Sequence, residues 1–255
     1  MSSGPAGDFD YERRGDGYAQ RRHTDPRIAA LVHAALGDAR TVVNVGAGTG
    51  SYEPIDREVT PVEPSAAMRA QRPAHLCPAV DATAEALPFP DDCFDAAMAT
   101  VTIHQWPDLW RGLRELRRVS RGPVVILTFD PAAVAEFWLA DYVSSLMAAA
   151  RHRDPPIDEV RTALGGATRV TPVPIPLDCI DGFIEAYYGR PERLLEPEVR
   201  AAQSAWAFAD PREVETGLAR LRVNLDSGTW DERFGGLRRQ QEYVGSLRLV
   251  VSLPA

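Results

Sequence analysis

A glycine-rich turn directly after a short, mostly apolar run constrains the fold of this chain most strongly. Residues 42–45 form the run, and three glycines follow at alternate positions, Gly46, Gly48 and Gly50. Glycine lets the chain turn tightly after a strand, and its backbone can approach a ligand that a side chain would block. A second apolar run ends at Glu63, seventeen positions after Gly46, where a carboxylate can accept hydrogen bonds from both hydroxyls of a ribose. Together the two features predict a nucleoside-binding α/β domain.

The length and charge of the chain bound its class. With 255 residues, it is long enough for one domain with a cap or for two domains. The formal net charge of −8 argues against a nucleic-acid backbone or an anionic membrane as the main partner. The sequence has neither a run of about eighteen apolar residues for a membrane span nor an N-terminal secretory signal pattern. We therefore expect a cytoplasmic protein.

The chain contains no lysine, so the 28 residues counted as lysine or arginine are all arginine. Schiff-base catalysis, pyridoxal-phosphate attachment and the P-loop lysine are therefore excluded. The cysteines, Cys77, Cys93 and Cys179, have neither the spacing of a disulfide framework nor that of a zinc site. The aspartates within residues 91–95 are more typical of a solvated acidic loop than of a metal site. We expect no metal.

Strands and helices alternate in the first half of the chain. The segment after Gly50 is too short and too rich in proline for a full crossover helix. The alternation implies a parallel sheet whose ligands lie beyond the carboxyl ends of its strands. The predicted strands are residues 42–45, 59–62, 76–80, 94–101 and 124–128, and the predicted helices begin near Asp25, Ser65 and Asp108.

The second half of the chain has a different pattern. It predicts a long helix over residues 131–151, a helical segment over 157–164, a proline-broken edge strand over 170–177 and a last strand over 243–253. The segment of about 178–242 is unusually long for a connection, so we expect it to fold as a helical cover over the ligand cleft. Aromatic side chains in this half favour an apolar or aromatic small ligand. They are Phe137, Trp138, Tyr142, Phe183, Tyr187, Tyr188, Trp206 and Phe208.

The order of these features resembles the class I S-adenosylmethionine-dependent methyltransferases, in particular the small-molecule branch of the ubiquinone/menaquinone-biosynthesis (type 11) methyltransferases. The resemblance covers residues 40–130 and rests on segments 43–50, 62–65 with Met68, 81–89, 94–97 and 113–119. It implies a Rossmann-like, doubly wound α/β sheet of seven mostly parallel strands, the last inserted antiparallel, with the helical cover placed before that strand.

The resemblance also divides the chain. It implies an N-terminal arm and helix closing over the cofactor (1–40), a cofactor-binding core (41–130), and a remainder (131–255) that completes the sheet and carries the cover.

The cofactor implied by the resemblance is S-adenosylmethionine. The glycine turn would hold its methionine part, Glu63 its ribose, and Asp81 with Ala82 the edge of its adenine. Two residues of the N-terminal arm, Tyr18 and Arg22, would close over its carboxylate end. The full set of residues expected to bind the cofactor is Tyr18, Arg22, Asn44, Gly46, Ala47, Gly48, Gly50, Glu63, Pro64, Met68, Asp81, Ala82, Thr100 and Thr102.

Two positions depart from the family pattern. The residue two positions before the first glycine is usually acidic and is Asn44 here; an amide still accepts a hydrogen bond, so we expect weaker or rearranged cofactor binding. Residues 102–108 resemble a segment that often carries two adjacent histidines, but Gln105 follows His104 here. His104 is the candidate general base, because imidazole titrates near neutrality. Alternatively, His104 orients the cofactor or fills the pocket wall.

The sequence therefore predicts a methyltransferase that acts on O, N or C of a small, apolar or aromatic metabolite, in the specialised metabolism of a bacterium. Two alternatives stay open: another reaction with the same cofactor, such as aminocarboxypropyl transfer or a cyclisation, and a non-catalytic ligand-binding partner of another enzyme. An NAD-dependent oxidoreductase fits less well, because the last glycine of the dinucleotide fingerprint is absent. The expected partner is a small-molecule acceptor, with no nucleic acid or membrane; the oligomeric state is left open.

Overall fold

A computed structural model describes residues 22–254 of the chain. Its strands are β1 (Thr41–Val45), β2 (Glu58–Val62), β3 (Ala96–Thr100), β4 (Val124–Phe129), β5 (Ala167–Pro172), β6 (Ile175–Pro176), β7 (Glu242–Tyr243) and β8 (Leu247–Leu253). Six of them form a sheet with the order β2-β1-β3-β4-β8-β5, and β6 pairs with β7 in a separate ribbon.

The large sheet is mostly parallel. Strands β1 to β4 pair in parallel, as expected when strands alternate with helical segments. Strand β8 lies between β4 and β5 and is antiparallel to both, with Val125 opposite Val251 and Val170 opposite Val250. The predicted α/β sheet, with its last strand inserted antiparallel, is confirmed.

The predicted number of seven strands is wrong for the described residues, since the sheet has six. The missing strand is the one predicted at 76–80, which is reduced to a single parallel bridge between Val62 and Val80. Pro78 interrupts it, because a proline has no N–H to donate to a neighbouring strand. The bridge remains because Val80 N donates to the carbonyl of Pro61 at 2.8 Å, and Glu63 N donates to that of Val80 at 3.0 Å.

The helices cover both faces of the sheet. Side-chain caps begin three of those predicted from sequence: Asp25 accepts from Arg27 N, Ser65 from Met68 N and Asp108 from Arg111 N. No helix within residues 22–254 is long and apolar enough to cross a membrane. The α-helices of this part of the chain are α1 (Pro26–Ala35), α2 (Ala66–Ala70), α3 (Leu109–Val119), α4 (Pro131–Val134), α5 (Ser144–Arg153), α6 (Ile157–Leu164), α7 (Pro197–Ala201), α8 (Pro211–Asp226) and α9 (Thr229–Phe234).

The single long helix predicted over 131–151 is wrong. The chain forms α4, a 3₁₀ turn over Trp138–Asp141 and α5 instead, with extended backbone at Phe137. The break allows the neighbouring rings of Phe137 and Trp138 to be buried together in one core. Trp138 also donates its indole N–H to the carbonyl of Tyr188 at 3.0 Å, so burial of aromatic surface outweighs helix continuity here.

Two hydrophobic cores pack against opposite faces of the sheet. Val42 and Val125 face the core that contains α1 and the buried aromatic side chains of the segment 178–242. Val43 and Ile126 face the second core, which contains α3 and α6. Burial on both faces leaves the carboxyl ends of the parallel strands as the accessible edge for a ligand.

Candidate active site

The glycine turn begins where β1 ends. Gly46, Gly48 and Gly50 have φ angles of +71°, +51° and +98°, which side-chain-bearing residues rarely adopt. A Cβ atom on Gly46 would also lie 2.1 Å from Thr102 Oγ1. Ala47, between the glycines, is buried and donates its N–H to the carbonyl of Val62 at 3.0 Å. The turn is therefore a tight cradle that exposes backbone where a ligand can approach.

Glu63 lies directly against this turn. Its buried carboxylate accepts hydrogen bonds from Gly48 N at 2.8 Å and from Ser65 N at 2.9 Å. Burial raises the pKa of Glu63, and the two backbone N–H groups oppose that shift. The hydrogen bonds use one lone pair on each oxygen, so the carboxylate can accept further bonds from a diol.

Asn44, two residues before the turn, is fully buried. Its Nδ2 atom donates to Glu53 Oε1 at 3.0 Å, whereas its Oδ1 atom has no hydrogen-bond partner within residues 22–254. A buried acceptor without a donor destabilises the fold, so a ligand or a water molecule is expected to bind to it. The amide therefore fits a cofactor that brings an N–H donor, such as the ammonium of a methionine group.

The residues predicted for an adenine lie beside Glu63. The Val80 bridge places Asp81 and the half-buried Ala82 next to the end of β2. The exposed Asp81 carboxylate pairs with Arg69 Nη2 at 2.9 Å. Pro64 is half-buried nearby, and its carbonyl accepts from Arg69 Nη1 at 2.8 Å. Sequence reasoning missed Arg69, which lies in the helix that follows and has no motif of its own.

Met68 and the end of β3 complete the rim of the turn. The Met68 side chain is buried, with its Cε atom 3.4 Å from the Cβ position of Gly48. Thr100 ends β3 and Thr102 packs on Gly46. Between them Val101 has a φ of +53°, which is exceptional for a β-branched residue and marks local strain of the kind that occurs at functional sites.

A cavity of about 90 Å³ opens beside this strained segment. Val101 and His104 lie in its wall, and the segment 178–242 contributes Phe183 and Glu185. His104 Nδ1 lies 3.7 Å from Asp154 Oδ1, an ion-pair distance. The other side chains around the cavity are Arg22, Phe129, Val134, Met147, Ala150, Arg153, Ile184, Ala202, Gln203, Ser204, Ala205 and Ser246.

Of the two arm residues predicted at the cofactor, Tyr18 lies outside the described residues. Arg22 lines the cavity and pairs with the buried carboxylate of Asp181 at 2.5 Å and 3.1 Å. The same carboxylate accepts from the Tyr52 hydroxyl at 2.7 Å. Burial, with Asp181 close by, raises the pKa of Tyr52 well above its usual value. Arg22, the first described residue, is thus tied to the segment 178–242.

Sequence reasoning missed four acidic residues around the site. Glu53, Asp154, Asp181 and Glu185 carry no motif and come from separate parts of the chain. Glu185, for example, is held by the N–H and hydroxyl of Ser246, and burial raises the pKa of this carboxyl. Only the fold brings Glu53 to Asn44, Asp154 and Glu185 to the cavity, and Asp181 to Arg22.

Comparison with known proteins agrees with this geometry. A family model described as a methyltransferase domain matches residues 43–127. A solved structure from Anabaena variabilis, described as a methyltransferase from an antibiotic biosynthesis pathway, is 31% identical, has a TM-score of 0.84, and is matched over 92% of this chain and 99% of its own. An S-adenosylmethionine-dependent methyltransferase from Thermotoga maritima, at 17% identity and a TM-score of 0.57 over 96% of this chain and 98% of its own, shares the fold.

Two curated relatives match about half of this chain. The chloroplastic 2-methyl-6-phytyl-1,4-hydroquinone methyltransferase of Spinacia oleracea is 32% identical over 48% of this chain and 38% of its own. The malonyl-[acyl-carrier protein] O-methyltransferase of Halorhodospira halophila is 28% identical over 51% of this chain and 48% of its own. The chain thus spans less than half the length of these relatives. Because the Anabaena protein exceeds 30% identity over nearly its whole length, this chain belongs to the class I S-adenosylmethionine-dependent methyltransferase family.

Proposed function

We propose that the protein is an enzyme that transfers a methyl group from S-adenosylmethionine to O, N or C of a small, apolar or aromatic metabolite. One observation carries this proposal: residues 101–104 join the two halves of the site. Thr102 packs on the glycine turn, while Val101 and His104 line the adjacent cavity. A methyl donor held at the turn and an acceptor held in the cavity would therefore meet at this segment.

The cofactor is assigned to the edge formed by the glycine turn and the end of β2. In this proposal Asn44 and the turn hold the methionine part, Glu63 the ribose hydroxyls, and Asp81 with Ala82 the adenine. The orphaned acceptor of Asn44 and the left-handed backbone of Gly46, Gly48 and Gly50 support the assignment. The remaining predicted cofactor residues, including Tyr18 and Arg22 of an arm closing over the site, stay part of the proposal.

The acceptor is assigned to the cavity, with residues 178–242 as its cover. Apolar side chains, among them Phe129, Phe183 and Met147, form much of the wall. This lining favours an apolar or aromatic body for the acceptor. The acidic chain, at a formal net charge of −8, favours a small molecule over a nucleic acid as the partner.

When bound, the cofactor would supply a methyl group on a sulfonium sulfur, which leaves as the neutral thioether of S-adenosylhomocysteine. The protein has to exclude water, align the acceptor and remove a proton where the acceptor requires it. His104, at the cavity wall, is the proposed base, and Asp154, 3.7 Å away, would stabilise the imidazolium that forms. The Anabaena relative's antibiotic pathway supports a role in bacterial specialised metabolism, which we assign to the cytoplasm.

The first test is calorimetric titration with S-adenosylmethionine, S-adenosylhomocysteine and, as control, NAD. We expect binding of the two sulfur compounds alone, which would then justify a screen of phenols, quinols and amines by mass spectrometry for the gain of one methyl group. Formation of S-adenosylhomocysteine with a methylated product supports methyl transfer. Release of methylthioadenosine would indicate aminocarboxypropyl transfer instead. Binding of NAD, or of none of the three, would contradict the proposal.

A further inference from the structure

The contact between Asn44 and Glu53 determines which end of the Asn44 amide faces Glu53 and which end is left without a partner. Asn44 Nδ2 donates to Glu53 Oε1 at 3.0 Å. An ionised carboxylate accepts hydrogen bonds and has none to donate, so the contact holds the nitrogen of the amide toward Glu53. The oxygen, Oδ1, is thereby turned away from Glu53, and it has no partner within residues 22–254.

The Glu53 carboxylate is held in place, and its negative charge is balanced, by Arg72. Its side chain is 2% exposed and forms an ion pair with Arg72, whose side chain is 4% exposed. Arg72 Nη2 lies 2.8 Å from Oε2 and 3.1 Å from Oε1 of Glu53. Arg72 also donates to the carbonyls of Gly48 and Cys77. The guanidinium compensates the buried carboxylate, and its bond to Gly48 holds the pair against the turn.

We infer that Glu53 is a positioning residue for the cofactor: it holds the Asn44 amide so that Oδ1 faces the ammonium of the methionine group. The inference rests on the proposed function, which places that group at Asn44 and the turn. Because Glu53 and Arg72 together carry little net charge, Asn44 would act as a neutral acceptor. The orientation of the Asn44 amide then decides whether the ammonium, itself a donor, faces the acceptor Oδ1 or the donor Nδ2.

The substitution Glu53→Gln should allow the Asn44 amide to reverse its orientation. Arg72 Nη2 lies nearer to Oε2 than to Oε1 of Glu53, so the oxygen of the new amide would take the Oε2 position, because a guanidinium only donates. The amide nitrogen introduced at position 53 would then face Asn44 and draw the oxygen of the Asn44 amide toward it. The flipped Asn44 would present a donor to the ammonium, which also only donates. Cofactor binding should weaken through the amino-acid part alone.

The test is calorimetry of the wild-type protein and Glu53→Gln with two ligands, S-adenosylhomocysteine and methylthioadenosine, which lacks the amino-acid part. We expect the affinity for S-adenosylhomocysteine to fall roughly ten-fold, the size of one charged hydrogen bond, and the affinity for methylthioadenosine to change by less than about two-fold. The exposed Glu58→Gln is the matched control and should change neither. Equal losses for both ligands would show that Glu53 merely supports the turn, and no loss for either would also overturn the inference.

The contact between Asn44 and Glu53 can also be tested by urea unfolding, which needs no cofactor. Asn44→Asp places a second carboxylate against Glu53, so it should lower the urea midpoint of the otherwise wild-type protein and lower that of the Glu53→Gln variant much less. In the Asn44→Asp background, Glu53→Gln should raise the affinity for S-adenosylhomocysteine, the reverse of its effect on the wild-type protein. A wild-type protein that binds no cofactor would refute the proposed function, while the urea measurements would still decide the contact. If Asn44→Asp lowers the urea midpoint equally in the wild-type protein and in the Glu53→Gln variant, the inference is overturned.

Discussion

His104 Nδ1 lies 3.7 Å from Asp154 Oδ1, and the two side chains, 11% and 10% exposed, face the same cavity. His104 follows β3 in a 3₁₀ turn, and Asp154 directly follows α5. A carboxylate at this distance in a largely buried wall stabilises a positively charged imidazole. In the proposed function, the Asp154 carboxylate would stabilise His104 after it takes a proton from the acceptor.

If His104 is the base, replacing it should reduce turnover without reducing cofactor binding. We expect His104→Gln to lower kcat by roughly 10²- to 10⁴-fold, and Asp154→Asn to lower it by about ten-fold, since a positioning group contributes less than the base. Both are measured with an acceptor from the screen, from about pH 6 to about pH 9. The affinity for S-adenosylhomocysteine should remain that of the wild-type protein.

The control for this pair is Asp158→Asn, which changes an aspartate of α6 whose side chain is 90% exposed. It should leave both kcat and cofactor affinity unchanged. Turnover of His104→Gln that equals wild type across the whole pH range would remove the base role. His104 would then be a wall residue of the cavity.

Much of the fold could be predicted from local patterns. The strand before Gly46 and the helices begun by Asp25, Ser65 and Asp108 follow from apolar periodicity and capping residues, which act over a few positions. The predicted strand at 76–80 failed because Pro78 removes a hydrogen-bond donor. The long helix over 131–151 failed for a different reason, since no local signal reports that two adjacent rings, Phe137 and Trp138, would gain more from burial than from helical continuity.

Glu63 provides the second prediction. Glu63→Gln keeps an oxygen for Gly48 N but turns an amide nitrogen toward Ser65 N, where both groups are donors. The affinity for S-adenosylhomocysteine should fall roughly ten- to a hundred-fold, because hydrogen bonds to a charged acceptor are lost. The affinity for methylthioadenosine should fall as much, since both ligands carry the ribose. Calorimetry checks this, with the exposed Glu58→Gln as control; a selective loss of one ligand would contradict the ribose assignment.

The site was less accessible to sequence reasoning than the fold. The glycines and Glu63 could be proposed as site residues because each belongs to a motif with fixed spacing. Asp154 and Asp181 could not, because their partners His104 and Arg22 lie 50 and 159 positions away in sequence. Such pairs depend on where the elements pack, and a single sequence carries no signal for that.

The third prediction concerns stability and pH. Glu213 of α8 accepts hydrogen bonds from Ser145 and Ser144, the first residues of α5, and these lower the pKa of Glu213 from 4.5 to about 2. A depressed pKa means that the carboxylate stabilises the fold above about pH 4.5 and loses this contribution as the pH falls toward 2. Glu213→Gln should therefore cost about 1 kcal/mol of unfolding free energy at neutral pH, a modest amount because solvent screens the group.

Urea unfolding at neutral pH and near pH 3 measures the effect of Glu213→Gln. The difference from wild type should shrink at the lower pH. Glu215→Gln, on the same helix and exposed, should cost little at either pH. A cost for Glu213→Gln that does not depend on pH would show that its hydrogen bonds act without the charge.

The last prediction separates two reasons for glycine in the turn: the left-handed backbone conformation and the lack of room for a Cβ atom. Gly46 and Gly37 have similar φ angles, +71° and +58°, but a Cβ atom would meet Thr102 Oγ1 at 2.1 Å in the first case and no atom within 4 Å in the second. Gly37→Ala should cost about 1 kcal/mol, the penalty of the left-handed region, and leave cofactor binding intact. Gly46→Ala should cost roughly 2 to 4 kcal/mol, because overpacking adds to that penalty, and should abolish binding of S-adenosylhomocysteine. Urea unfolding and calorimetry on both variants measure the two effects. Thr102 adjoins Val101 and lies near His104 at the cavity. A Gly46→Ala protein that still bound the cofactor would therefore contradict the proposal that residues 101–104 join the two halves of the site.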